Sequence, residues 1–231
     1  MDAEPLRLAW LEASRPFTAD QNRGIATGPD LVFTPGAGRV GVTAVHGVVH
    51  QRRGHVRQAE VNTAALAVVA NQVIGASTLV VAKTLLIEDA NRNAEHPARV
   101  AALAHGLWGT DRVAIDVHGQ TDRPVDLVLS WGGIDFEASP GEALARRLAT
   151  GFAAAGFPID LGGRTTGFAA AGPTMTRAAA ESGTAAVQME ISRRCRTFAQ
   201  GSDRGRVAAF IATFLTLIAT EDQTATSLID E

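Results

Sequence analysis

Five short apolar runs punctuate the chain: VGVTAVHG (40–47), TLVVAKTL (78–85), RVAIDVHG (112–119), VDLVLSWG (125–132) and AAVQMEIS (185–192). Each has strand length and is nearly continuous in apolar character, which suits strands covered on both faces of a largely parallel or mixed sheet. Helical patterns lie between them. Residues 60–74 (EVNTAALAVVANQVI) place apolar side chains at helical intervals, and residues 97–108 open with Pro97 at a first-turn position. Ser139-Pro140 followed by Glu142 predicts a capped helix running to about Ala155, with Gly156 as its stop. A last long helix is expected over 203–220. Strands alternating with helices define the α/β class.

Loops and ends complete this outline. Residues 162–172 (GGRTTGFAAAG) predict a mobile loop, either a lid or a plain connection. Residues 221–231 (EDQTATSLIDE) predict a flexible polar tail. No internal repeat of solenoid period is present. With 231 residues, 46% of them hydrophobic, the chain can build one sizeable core, so a single domain over 1–231 is expected.

Charge narrows the function classes. A formal net charge of −3 lacks the basic excess of a nucleic-acid-binding surface. The N-terminus, MDAEPLRLAWLEASRP, has no apolar signal-type segment, and apolar stretches break well before the ~18 residues of a membrane span. Cys195 is the single cysteine and forms no internal disulfide. A cytoplasmic protein that engages neither nucleic acid nor membrane is the expectation.

Three polar residues mark the ends of apolar runs, where open α/β sheets form their sites. His46 and His118 each precede a glycine, and Glu190 lies inside AAVQMEIS. Either histidine alone is equally compatible with a hydrogen-bonded strand-end residue. The pair, with a carboxylate in reach, points to a shared metal, because catalytic zinc takes three N and O ligands and keeps a position open. Glu60, at the mouth of the first internal helix, is the candidate third ligand, and it also suits a helix N-terminus simply as an acid. His50 and His55 compete as donors but read better as solvated loop residues. In EDANRN (88–93), Asn91 and Arg92 can grip a substrate carboxylate, or form a polar turn. A carboxylate among Ala, Val, Met and Ile is costly unless it faces a polar site, so Glu190 reads as a general base, with pairing to Arg193 or Arg194 as the alternative.

In order, VHG, AEVNTAALA, DANRN, IDVHG and VQMEISRRCR resemble the N-formylglutamate amidohydrolase family, which is related in fold to zinc carboxypeptidases. The resemblance covers about 41–196. It implies a three-layer α/β/α fold, phosphorylase/hydrolase-like, with a mixed, mostly parallel central sheet. It implies zinc held by His46, Glu60 and His118, a substrate carboxylate held by Asn91 and Arg92, and Glu190 as general base. Arg193 is expected at the substrate, and Arg57, Arg193 and Arg194 are alternative oxyanion partners. The implied activity is hydrolysis of an amide in a small carboxylate-bearing molecule. A γ-glutamyl or small-peptide hydrolase, or a non-catalytic binding protein on the same fold, are the rival readings. One departure stands out: zinc carboxypeptidases use a His-x-x-Glu ligand pair, whereas Val49 holds that spacing from His46 and the acid comes at Glu60.

Overall fold

A computed structural model describes residues 3–24, 29, 31–52, 54–82, 112–131, 139–162, 174–198 and 203–227. In chain order its elements are α1 (Ala3–Asn22), β1 (Leu31–Thr34), β2 (Val40–Ala44), β3 (His50–Arg52), β4 (His55–Arg57), α2 (Thr63–Ile74), β5 (Ser77–Val81), β6 (Val113–Gln120), β7 (Leu127–Trp131), α3 (Pro140–Ala154), β8 (Ile159–Leu161), α4 (Met175–Glu181), β9 (Ala185–Ser192), α5 (Arg193–Arg196) and α6 (Arg204–Ser227). The helix expected over 97–108, the end of the 78–85 run and the loop at 163–172 lie outside the described residues.

Seven strands form one sheet in the order β1-β5-β2-β6-β9-β7-β8, and β3 pairs with β4 in a small separate hairpin. The centre is parallel: β2 runs with β5 and with β6, and β6 runs with β9. β1 is antiparallel to β5, and β7 is antiparallel to β9 but parallel to β8. This is the mixed, mostly parallel α/β sheet that the sequence pattern implies.

The strand faces differ more than the apolar runs suggest. Successive side chains of a strand alternate between faces. Val113, Ile115 and Val117 of β6 join Val187, Met189 and Ile191 of β9 in the main core, with Leu127 and Leu129 of β7. Helices α2, α3 and α6 pack against this core, and α1 lies across α2 and α6. The opposite face carries Ala114, Asp116 and His118 on β6 and Ala186, Gln188 and Glu190 on β9. There Ala179 of α4 packs on Ala114 and Ala186. Small side chains let α4 approach closely, and the polar residues follow toward the carboxyl ends of the strands.

Helix ends obey local chemistry. Ser139 Oγ accepts from the Glu142 amide at 3.1 Å and caps α3, and Gly156 follows with φ +85°. The first internal helix begins at Thr63, so Glu60 precedes it. Residues 221–227, expected in a polar tail, belong to α6. Glu221 is buried and receives the Arg147 guanidinium at 2.7 and 2.9 Å, and Asp222 accepts from the Arg39 amide at 2.5 Å. These partners tie the start of that segment to α3 and to the residue before β2.

Helix α1 has no counterpart among the sequence expectations. It is held by buried Leu6, Trp10, Ala13 and Phe17, at helical spacing, and its φ/ψ angles leave the helical region at Ala19–Gln21. Cys195 is free and fully buried, with its thiol pushed up to about 12 by burial and by neighbouring Asp126. Among the described residues no helix is long and apolar enough to cross a membrane.

Core strength concentrates where α3 meets α6. The Phe152 ring stacks on Phe210 with centroids 5.3 Å apart and meets the edge of Phe157 at 6.1 Å. Phe152 is fully buried. Replacing it by Ala removes this aromatic contact and leaves a cavity, so chemical denaturation of Phe152→Ala is expected to show a loss of about 3–5 kcal/mol. An unchanged midpoint would mean that the surrounding helices collapse onto the space.

Candidate metal centre

The site lies where the sheet reverses direction of growth. From β2 the chain passes through α2 to β5 on one side, while β6 pairs with the other side of β2. Adjacent parallel strands whose connections diverge leave a crevice beyond their carboxyl ends. His46 follows β2, and His118 lies near the end of β6.

Close backbone packing brings Glu60 to them. The Glu60 amide donates to the His46 carbonyl at 2.8 Å, and the Thr63 hydroxyl donates to the Glu60 carbonyl at 2.8 Å. Asn62 takes a left-handed φ of 72° and donates its side-chain amide to the Arg196 carbonyl at 2.8 Å. Gly47 makes the approach possible, because a Cβ there would lie 2.5 Å from that of Ala64 in the first turn of α2.

Three donor groups converge. His46 Nδ1 lies 3.1 Å from His118 Nδ1 and 3.1 Å from Glu60 Oε1, and His118 Nδ1 lies 3.2 Å from Glu60 Oε2. Tetrahedral coordination with bonds of about 2.0–2.1 Å places neighbouring donor atoms roughly 3.3 Å apart. The separations found here match that edge. His46, Glu60 and His118 therefore form a group that can hold a metal ion, and their N and O donors suit zinc.

Neighbouring groups set the tautomer. His118 Nε2 lies 3.2 Å from Asp116 Oδ2, a carboxylate that also accepts from the hydroxyls of Thr43 at 2.6 Å and Thr176 at 3.1 Å. A carboxylate on Nε2 keeps the proton there and turns the Nδ1 lone pair toward the centre. Burial alone would lower the His118 pKa, but Asp116 and Glu60 raise it well above the usual imidazole value. Burial raises the Glu60 pKa, yet His46 and His118 outweigh it and hold the carboxyl well below its usual range. The surrounding charge favours a cation at this point. The Gly119 amide donates to Glu60 Oε2 at 2.9 Å and fixes the carboxylate plane.

Glu190 is the register partner of His118 on the adjacent parallel strand, so both side chains share one face. It is buried, and Gln188 Nε2 donates to its Oε1 at 2.9 Å. Burial, with Glu60 adding to it, raises its pKa despite the opposing pull of His118. The alternative partner Arg194 is engaged elsewhere, at 2.6 Å from the fully buried Asp126, which Arg206 also grips.

Several expectations change. His50 is not a solvated loop residue: it is buried, with its ring stacked on His46 at 4.2 Å. His55 is exposed, as expected. Gly119 lies inside β6, and its missing Cβ makes room for the Arg196 guanidinium, whose Nη2 would lie 2.5 Å from one. Arg193 and Arg57 line a cavity of about 590 Å³ beside Glu60 and Gly119. Asn91 and Arg92 lie outside the described residues.

Sequence reasoning missed Asp116, Gln188 and Arg196. The first two were legible: each lies two residues before a singled-out residue, on the same strand face. Arg196 had no such signal, because its contacts come from residues 61, 120 and 191.

No family model matches the chain, and no curated protein matches it. Solved structures resemble it in fold. A gene product of Agrobacterium tumefaciens aligns with a TM-score of 0.53 at 17% identity, over 88% of this chain and 97% of its own. The zinc-free YndL apo structure aligns with a TM-score of 0.51 at 17% identity, over 84% and 92%. A metallo-carboxypeptidase from Burkholderia cenocepacia gives 0.51 at 16% identity, over 94% and 68%. At these identities the likeness establishes the fold alone, which this chain shares with that metallo-carboxypeptidase.

Gly47 tests how the centre is assembled. In Gly47→Ala the new methyl group meets Ala64, and the first turn of α2 must yield. Overpacking of this kind costs about 1–3 kcal/mol. A lowered melting temperature is expected, and an unchanged one would show that the turn has slack.

Proposed function

We propose that this chain is a zinc-dependent amide hydrolase for small carboxylate-bearing substrates, similar in activity to the N-formylglutamate amidohydrolases. The observation that carries the reading is the convergence of His46, Glu60 and His118 at coordination distances, with Glu190 in register beside them. Zinc bound there supplies a Lewis acid that polarises the amide carbonyl and lowers the pKa of water.

The chain's own groups complete the reaction. Glu190, with a raised pKa, takes the proton of the attacking water and returns it to the leaving amine. Gln188 holds one Glu190 oxygen, so the carboxylate keeps a single orientation. Asp116 holds His118 in the tautomer that presents Nδ1. Asn91 and Arg92 anchor a substrate carboxylate, and the anchored amide meets the water in fixed geometry. Arg193, on the cavity wall, adds a further cation for the substrate.

Purified protein is expected to carry about one zinc per chain by metal analysis. His46→Ala and His118→Ala should each lose it. If either variant retains zinc as tightly as the parent, that histidine is not a ligand.

Glu190→Gln separates catalysis from binding. Zinc content should persist, because this residue is outside the ligand set. Turnover of an N-acylglutamate should fall by roughly 10²–10⁴-fold, the usual contribution of a positioned general base. Near-normal turnover with zinc retained rules out the proton-transfer role. Loss of zinc as well would make Glu190 a ligand.

A further inference from the structure

We infer that the cavity beside the metal centre is a subsite for an acyl group bearing its own carboxylate, so the preferred substrates are half-amides of dicarboxylic acids rather than formyl amides. This rests on the hydrolase reading, keeps its metal centre and reaction, and changes only the acyl group from formyl to a longer, charged one.

Position comes first. Glu60 and Gly119 form part of the cavity wall, so the space of about 590 Å³ opens directly off the metal centre. Glu190 is not among its lining residues. The leaving amine must face Glu190, which returns the proton to it. The cavity, on the Glu60 side, is therefore left to the acyl chain. A formyl group fills roughly the space of two waters, at about 30 Å³ each. Such an acyl group would leave most of this volume to solvent.

Charge identifies what the cavity takes. Arg57, Arg193 and Arg196 line it, and among its described lining residues the one carboxylate, Glu60, is engaged by His46 and His118. Arg57 and Arg193 are exposed, and among the described residues neither side chain is held in an ion pair. Arg196 is buried at 6% exposure, and among the described residues its side chain donates only to the backbone carbonyls of Ile191, Val61 and Gln120. Burial, with Arg193 adding to it, lowers its pKa, and the fields of Glu60, Asp122 and Glu190 offset that only in part. Its contacts are to carbonyls rather than to a carboxylate, and a carboxylate in the cavity would add a planar, two-point charged contact. The neighbouring Gln120 Oε1 is buried and has no donor among the described residues. This wall is polar, preformed and incomplete without an occupant.

The reaction balances as simple hydrolysis. The amide C–N bond breaks, the water oxygen joins the acyl carbon, and the proton taken by Glu190 goes to the amine. The products are a dicarboxylate and a free amine.

The test compares N-formyl-, N-butyryl- and N-succinyl-glutamate on the zinc-loaded protein. Butyryl matches succinyl closely in length but lacks the charge, so size and charge separate. The succinyl substrate should exceed both others at least tenfold in kcat/KM. The double variant Arg57→Gln, Arg193→Gln changes two exposed side chains, and it should erase that margin, chiefly by raising KM. Formyl or butyryl turnover equal to succinyl, or an equal loss on all three in the double variant, overturns the subsite. Absence of hydrolysis on every substrate is a failure of the hydrolase reading, and calorimetric titration then decides the subsite alone. Succinate binding at least tenfold tighter than butyrate, and weakened in the double variant, supports it. Equal binding of the two acids overturns it.

Discussion

Asp116 carries the interaction on which the rest of the site depends. Its two oxygens receive Thr43 from β2, Thr176 from α4 and the Nε2 edge of His118. Burial would push its pKa up, but His118 and Thr43 keep the carboxyl below its usual value, so it stays charged inside the protein. One buried anion therefore ties two strands and a helix together and also dictates the proton position on a candidate ligand. Without it the His118 ring would be free to present either nitrogen. The mutual approach of His46, Glu60 and His118 would then lose its chemical meaning.

A second constraint acts from the other side of the centre. Arg196 donates to carbonyls on the Glu60 loop, on β6 and on β9, while Asn62 donates back to the Arg196 carbonyl. The loop that delivers Glu60 is thus stitched to the strands that deliver His118 and Glu190. The absence of a side chain at Gly119 lets the guanidinium lie against the strand. Asp116 orients His118, and Arg196 ties together the segments that carry Glu60, His118 and Glu190.

How much of this was legible follows from where each interaction lives in the chain. Strand and helix positions for β2, β6, β7, β9, α2 and α3 follow from apolar runs and local capping, which neighbouring residues determine. The His46, Glu60 and His118 group could be assembled from two His-Gly endings and a helix mouth, all short-range signals. Asp116 and Gln188 needed the alternation of faces within strands that looked uniformly apolar. The burial of His50 needed the register of tertiary packing, since its stacking partner His46 fixes it only once the β3–β4 hairpin folds back. The helical end of α6 was illegible because Glu221 owes its burial to Arg147, 74 residues away.

The two faces of the sheet divide the work of the molecule. On one side, Val, Ile, Leu and Phe residues pack with α2, α3 and α6, where dispersion and the hydrophobic effect stabilise the fold. On the other, Asp116, His118, Gln188 and Glu190 sit in one row of neighbouring register pairs at a desolvation cost, beside the small apolar cluster of Ala114, Ala179 and Ala186. Gln188 Oε1 even remains buried without a donor among the described residues. A sheet selected only for stability would not hold this row. On the proposed hydrolase reading, this row brings a proton acceptor and a cation site within reach of one amide at the carboxyl edge of β6 and β9.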